Sequence, residues 1–398
     1  MKIKESIHIK NLGPIVDIHI PDVKPLTVLI GESAGGKSAV MKALILCRWI
    51  YKMCNLREYL HNSGVLRSPF RFRLNRHLEY VGLQEYVHFN TEICYTVSFG
   101  NEKDLQGDAE MSYNIDIKNK QRIIFSGTIP PEALCYEKLC YIPETRGLIP
   151  HALGVIGRRP AYQALIDEMI ENFQYASSAL PELNIACLGV KFMVKRSSSI
   201  PEYKVLPLDE KKGKYDIKFR HSSSGIQNTV PLLLLMAYFS KHFDLRDAFK
   251  KTVLTYVMDS ENWTNFKPLK DWEPLAKHAK IFLHLEEPEL GLFPDAQCDL
   301  MNEIVKYCFD SSGNPTNLIL TTHSPYILNQ LNLLIQAHDK KNTEHTDGAC
   351  LNYDDIAAYH VEAGGIGDLK NITERRLINT DALSDTMDLI YNRYEALM

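Results

Sequence analysis

Apolar and polar residues alternate from the start of the chain. In "IKESIHIK" (3–10) and "IVDIHI" (15–20) the apolar positions recur with the period of a strand that is buried on one face. "NLGP" joins the two runs, and its Gly13-Pro14 pair reads as a turn, so the pattern predicts the hairpin of a small antiparallel sheet. The pattern then changes. "PLTVLI" (25–30) is continuously apolar, as a strand buried on both faces is, and "SAVMKALILCRWIYKM" (38–53) is a helical run. The middle region, about 55–200, lacks sustained heptads; it offers strands at 85–99 and 111–127 and a helix around 162–176. Beyond it, "YKVLPL" (203–208) and "KYDIKFRH" (214–221) are strand-like, and "GIQNTVPLLLLMAYFSKHF" (225–243) is a long apolar helix. The strands "KIFLHLE" (280–286) and "NLILTT" (317–322) alternate with helices beginning at Pro294 and near Pro325. Residues 354–364 fit one closing strand, and 381–397 a final helix.

Buried strands alternating with helices imply a parallel sheet with helices on both faces. The expected fold is therefore α/β, with one parallel sheet interrupted by an insertion. The reading divides the chain into an N-terminal lobe (1–54), an inserted β/α region (55–202) and a C-terminal lobe (203–398).

Composition narrows the picture. The 398 residues are 45% hydrophobic and 24% charged, values of a soluble globular protein. A formal net charge of -4 argues against global attraction to nucleic acid, so any such contact needs a local patch. Nine cysteines, an odd number, form no C-x-x-C pair, which points to reduced thiols and a cytoplasmic location. The first ten residues read as a strand rather than a cleaved signal, and no apolar run reaches the 18 residues of a membrane span.

The chemistry starts at "GESAGGKS" (31–38), which fits G-x-x-x-x-G-K-[ST] and sits between a strand and a helix, as that motif requires. Glycines let consecutive N–H groups turn toward phosphate oxygens; Lys37 adds positive charge, and Ser38 can offer its hydroxyl to Mg²⁺. At the end of an apolar strand stand Glu286 and Glu287, where open α/β sheets bind ligands. Neighbours on a strand face opposite ways, so Glu286 can hold Mg²⁺ while Glu287 polarises a water. "TTHSP" (321–325) sets His323 at the same edge, able to hydrogen-bond a terminal phosphate or fix that water. "SSSGIQN" (222–228) opens a helix and reads either as an N-cap or as an anion contact.

In this order the motifs resemble an ATPase head of the ABC class. More narrowly, "EEPELGLFPDAQ" (286–297) with "TTHSPYIL" (321–328) resembles the AAA15 group of OLD-like ATPases, relatives of Rad50 and SMC heads. The resemblance covers roughly 1–50 and 203–335, and reaches the middle only through "YIPETR" (141–146). It implies that Gly31, Gly35, Gly36, Lys37, Ser38 and Ala39 bind ATP and that Ser38 and Glu286 hold Mg²⁺. Glu287 would be the general base and His323 the switch residue. Ser224, Gly225 and Gln227 would belong to a signature that contacts the nucleotide of a second subunit, making the protein a homodimer or higher oligomer. Ser33 and Ala34 stand where many such loops have Asn and Gly, Glu286 replaces the usual Asp, and Ile226 replaces a signature glycine. No glutamine that senses Mg²⁺ is evident, and Arg146 is the charged residue nearest that role.

Partner signals are weaker. "RSPFRFRLNRH" (67–77) mixes four arginines with two phenylalanines, a composition suited to phosphate contact and base stacking, and "GRRP" (157–160) is a smaller basic run. OLD nucleases carry a metal-dependent Toprim domain after the ATPase, whereas only residues 326–398 follow "TTHSP"; the chain itself is expected to cut nothing. The favoured expectation is an ATPase that controls a separate nuclease or toxin, as in bacterial anti-phage systems of the Septu and PARIS types. The main alternative is a DNA-repair or tethering ATPase of the Rad50 kind. A transporter ATPase and a small-molecule kinase remain behind them.

Overall fold

A computed structural model describes residues 2–65, 70–100, 111–118, 122–153, 164–196, 201–209, 213, 215–258, 278–362, 364–370, 376–380 and 391–397. The chain begins with the hairpin β1 (Lys2–Leu12) and β2 (Ile15–Ile20), then β3 (Leu26–Ile30), the long helix α1 (Lys37–Asn62) and α2 (Leu74–Val81). Strands β4 (Val87–Gly100), β5 (Met111–Lys118), β6 (Arg122–Gly127) and β7 (Glu137–Ile142) follow, with the short α3 (Ile149–Ala152) and α4 (Ala164–Ala179) after them. Next come β8 (Glu182–Ile185), β9 (Val190–Lys195), β10 (Glu202–Pro207), β11 (Ile217–Lys218), α5 (Ser224–Ala237) and α6 (Leu245–Met258). The last third alternates β12 (Lys280–Glu286), α7 (Pro294–Phe309), β13 (Thr316–Thr322), α8 (Pro325–Lys340), β14 (Ile356–Glu362) and β15 (Gly365–Asp368).

Three sheets result. The first is antiparallel, in the order β2-β1-β4-β5-β6, so strands from the middle of the chain complete the sheet that the N-terminal hairpin starts. The alternation seen in the sequence sorts its faces: Ile7, Ile9, Tyr95, Val97, Ile115 and Ile117 are fully buried. The second sheet, β15-β14-β3-β13-β12-β7, is parallel apart from β15. Residues 281–286 of β12 are all buried, which requires cover on both faces. A third, antiparallel sheet, β11-β10-β9-β8, packs Phe192, Tyr203 and the neighbouring Phe219 against Phe173 of α4.

Three expected elements differ. Residues 111–127 form a hairpin, β5 against β6, because the polar run "KNKQ" interrupts the apolar alternation. The strand expected over 214–221 shortens to Ile217–Lys218, and Phe219 turns inward to the aromatic cluster beside Phe173. The helix expected over 225–243 ends at Ala237 and widens into a π turn over Tyr238–His242. There the Asn314 side-chain amide donates to the Phe239 and Phe243 carbonyls, supplying donors that a regular helix would not need. Of the final helix expected at 381–397, residues 381–390 lie outside the described residues and 391–395 are helical.

A buried charge network ties the first two sheets together. Arg48 of α1 donates to Glu5 of β1 at 2.9 Å, lies 3.1 Å from His284 Nε2 of β12, and covers the Phe282 ring. Glu137, buried at the start of β7, has its carboxyl pushed up to about 8, first by burial and then by the charge of Glu5. Between the ordinary value of 4.5 and about 8, the folded chain therefore holds a proton that the unfolded chain has released, and stability falls as pH rises through that window. Urea unfolding at pH 5.5 and pH 8 should show a smaller loss for Glu137→Gln than for wild type. Equal losses would assign the proton to another group.

Candidate functional site

The parallel register decides what meets at the carboxyl edge. Ile30 of β3 pairs with Thr322 of β13, Glu286 of β12 with Thr321, and Leu285 with Ile142 of β7. Each strand then ends within a residue of its neighbours. The phosphate loop, the acid pair, His323 and the turn 143–148 are thereby delivered to one edge, where open α/β sheets place their ligands.

The loop owes its shape to glycine. Gly36, at φ 104, is the N-cap of α1, and a Cβ on Gly31, at φ 155, would lie 2.0 Å from the Val361 carbonyl oxygen. The first bond within α1 runs from the Val40 N–H to the Gly36 carbonyl. The N–H groups of Lys37, Ser38 and Ala39 precede that bond at the positive end of a 26-residue helix. Ser38 is exposed, whereas the side chain of Ala39 is buried, so Ala39 offers only its main chain. Lys37 Nζ donates to the carbonyls of Gly31 (2.9 Å) and Glu32 (2.8 Å). Burial lowers the pKa of this ammonium, while the nearby charges of Glu287 and Glu289 oppose the shift. The strand register sets the phosphate loop and these acids at the same edge of the sheet.

Glu286 is 4% exposed. The Tyr141 hydroxyl donates to its Oε2 at 2.8 Å, and among the described residues its buried Oε1 has no hydrogen-bond partner. A buried carboxylate oxygen left open in this way suits a cation. Glu287 sits at φ 43, unusual for a residue with a side chain, and its Oε1 lies 3.4 Å from His323 Nε2. Its pKa is raised by burial, against the charge of His323. The third acid, Glu289, accepts from the Thr322 hydroxyl (2.8 Å) and the His323 N–H (2.7 Å), fixing the backbone that carries the histidine.

The first turn of α5 lies beside the acid turn. A Cβ on Gly225 would come within 2.7 Å of the Gly291 carbonyl, so the two backbones touch. Ser223 and Ser224 are exposed at the helix start. Gln227 turns its amide back to the Arg220 and Ser222 carbonyls, closing its own turn. Among the described residues no hydrogen bond joins this turn to the phosphate loop of the same chain. Arg146 is fully buried behind the acid turn, where its guanidinium donates to main-chain carbonyls.

Sequence reasoning overlooked Tyr141 and Glu289. Both lie within quoted motifs, "YIPETR" and "EEPE", and their position at or directly after a strand end was the available signal. In the basic run Phe70 and Phe72, both half-buried, pack with each other, with Tyr256 and Phe125, and under Arg57. Arg71, Arg73 and Arg76 remain exposed. Arg67 and residues 157–160 lie outside the described residues. No described helix is long and apolar enough to cross a membrane.

Residues 159–328 match the family described as AAA ATPase domain. No curated protein matches the chain. Among solved structures the chain is similar to an SMC head bound to the C-winged helix domain of ScpA, at 11% identity over 92% of this chain and 97% of that one, TM-score 0.39. It is similar to the SMC head domain from Thermotoga maritima at 13% identity, covering 92% and 99%, TM-score 0.37. A third likeness is to the recombination mediator RecF with ATP, at 10% identity, covering 92% and 100%, TM-score 0.35. The ATPase-domain match, the strand order and the glycine loop together make the chain a P-loop ATPase of α/β fold.

Proposed function

We propose that the chain binds ATP between two copies of itself, hydrolyses it, and uses the closing and opening of that pair to control a separate effector protein, a nuclease or toxin, in bacterial anti-phage defence. The observation that carries the chemistry is the meeting of four strand ends at one edge, with Glu287 3.4 Å from His323 and both Glu287 and Glu289 acting on Lys37. Lys37 and the N–H groups at the start of α1 hold the outer phosphates. Ser38 and Glu286 hold Mg²⁺, which would supply charge neutralisation at the phosphates; the open Oε1 of Glu286 supports that assignment. Glu287 takes the proton of the attacking water, and His323 orients that water and the terminal phosphate. Ser224 and Gly225 face the nucleotide of the second copy, a role supported by the exposed start of α5. The anti-phage assignment is supported by the OLD-like motif order in the sequence.

A DNA-repair or tethering ATPase of the Rad50 and SMC kind is a second reading with comparable support. The exposed Arg71, Arg73 and Arg76 favour it, as a local phosphate contact on an otherwise acidic chain.

The mass of Glu287→Gln protein in solution, with and without ATP and Mg²⁺, tests the shared site. ATP should double the mass, and a further Ser224→Arg change should prevent it. An unchanged mass would remove the nucleotide from the interface. Copurification of a nuclease or toxin would favour the first reading, and salt-sensitive DNA binding lost on replacing the three arginines the second.

A further inference from the structure

Arg146 is fully buried, yet among the described residues its hydrogen bonds go to main-chain oxygens rather than to the carboxylates around it. Burial lowers its pKa to about 10, opposed by Glu289, Glu287, Glu286 and Glu144 in that order, so the guanidinium stays charged at neutral pH. Nη1 donates to Pro143 (3.1 Å) and Glu286 (2.6 Å), Nη2 to Glu287 (2.6 Å), and Nε to Asn228 (3.1 Å). One planar fork therefore spans three separate pieces: its own turn after β7, the acid turn after β12, and Asn228 near the start of α5.

The placement has a physical rationale. Glu287 sits in the left-handed region, a conformation that persists only where the surroundings over-determine it. The two shortest bonds of Arg146 hold the consecutive carbonyls of Glu286 and Glu287, which fixes the direction of the Glu287 side chain. Gly147 lets the arginine's turn approach α5, since a Cβ there would lie 2.8 Å from Asn228 Oδ1. Gly225 against Gly291 makes a second contact between α5 and the acid turn. Neither an ammonium nor a neutral side chain reproduces a fork with rigid donors in these directions.

We propose that Arg146 is a positioning residue that locks the Glu286–Glu287 turn and the start of α5 into one body, so that seating a second copy on the start of α5 sets where the Glu287 carboxylate lies. The proposal rests on the reading above, in which Glu287 is the base and α5 meets the partner's nucleotide. It replaces the expectation that Arg146 senses Mg²⁺, because the guanidinium is taken up by protein carbonyls.

The test compares wild type with Arg146→Lys and Arg146→Met, measuring kcat and the affinity for a fluorescent ATP analogue, each well below the melting temperature of that variant. Displacing the base costs turnover and leaves the phosphate loop intact. The expected result for Arg146→Met is a kcat about 100-fold lower with nucleotide affinity close to wild type, and Arg146→Lys should fall between the two. Equal falls in kcat and affinity would reduce Arg146 to a structural residue, and wild-type kcat in both variants would discard the clamp. Hydrogen exchange on wild type adds a measurement that needs no variant to fold. On adding a non-hydrolysable ATP analogue, segments 224–228 and 286–291 should gain protection together; protection of one without the other overturns the proposal. A wild-type protein that neither binds nor hydrolyses ATP would defeat the ATPase reading itself, whereas normal turnover in the Arg146 variants defeats only the clamp.

Discussion

Lys37→Ala is expected to cost about 100-fold or more in ATP affinity, measured by titration with a fluorescent analogue in the presence of Mg²⁺. The ammonium lies at the floor of the loop, bonded to Gly31 and Glu32 and in the field of Glu287 and Glu289. A charge-assisted contact to a phosphate in this buried setting contributes roughly 3 kcal/mol, which corresponds to that factor. The substitution leaves the fold in place, because Lys37 is at the first position of α1 and the core of that helix lies further along, at Val40, Leu44 and Cys47. Unchanged affinity with an unchanged melting temperature would move the phosphates away from this loop.

Glu287→Gln should retain ATP and lose turnover by about 10² to 10⁴-fold, the range carried by a positioned general base. The amide keeps the shape of the side chain and can still meet His323, but it cannot accept the proton of water. The pH profile supplies a second check. Burial raises the Glu287 pKa, so the free protein ionises this carboxyl at higher pH than a solvated glutamate. The acid limb of kcat/KM, which reports the free protein, should therefore lie at higher pH than a solvated glutamate would give, and it should vanish from the residual activity of the variant. Full activity in Glu287→Gln would assign the base to another group.

Much of this site was legible along the chain because its residues are local. The phosphate loop needs a strand, a glycine turn and a helix start within about a dozen residues, and 25–38 contain all three. Glu286, Glu287 and His323 were placed at strand ends by the same logic, since a continuous apolar run followed by an acid or a histidine marks the end of a buried strand. Tyr141, Glu289 and the clamp of Arg146 were not legible as such. Their roles depend on which strand lies beside which, and nothing in "YIPETR" says that β7 pairs with β12. The hairpin within 111–127 and the inward turn of Phe219 were missed for a related reason: both are decided by partners elsewhere in the chain, against which the local pattern is ambiguous.

The sequence alone determined the class of chemistry and the kind of fold, because glycine spacing, strand-end acids and the two hydrophobic periods are consequences of backbone geometry within a few residues. Tertiary structure decided the rest. It brought the four strand ends to a common edge and packed Phe70 and Phe72 against each other, Tyr256 and Phe125. It also buried Arg146 among main-chain carbonyls. These outcomes follow from the parallel register and from the need to satisfy buried polar groups, and both are set by the whole chain at once.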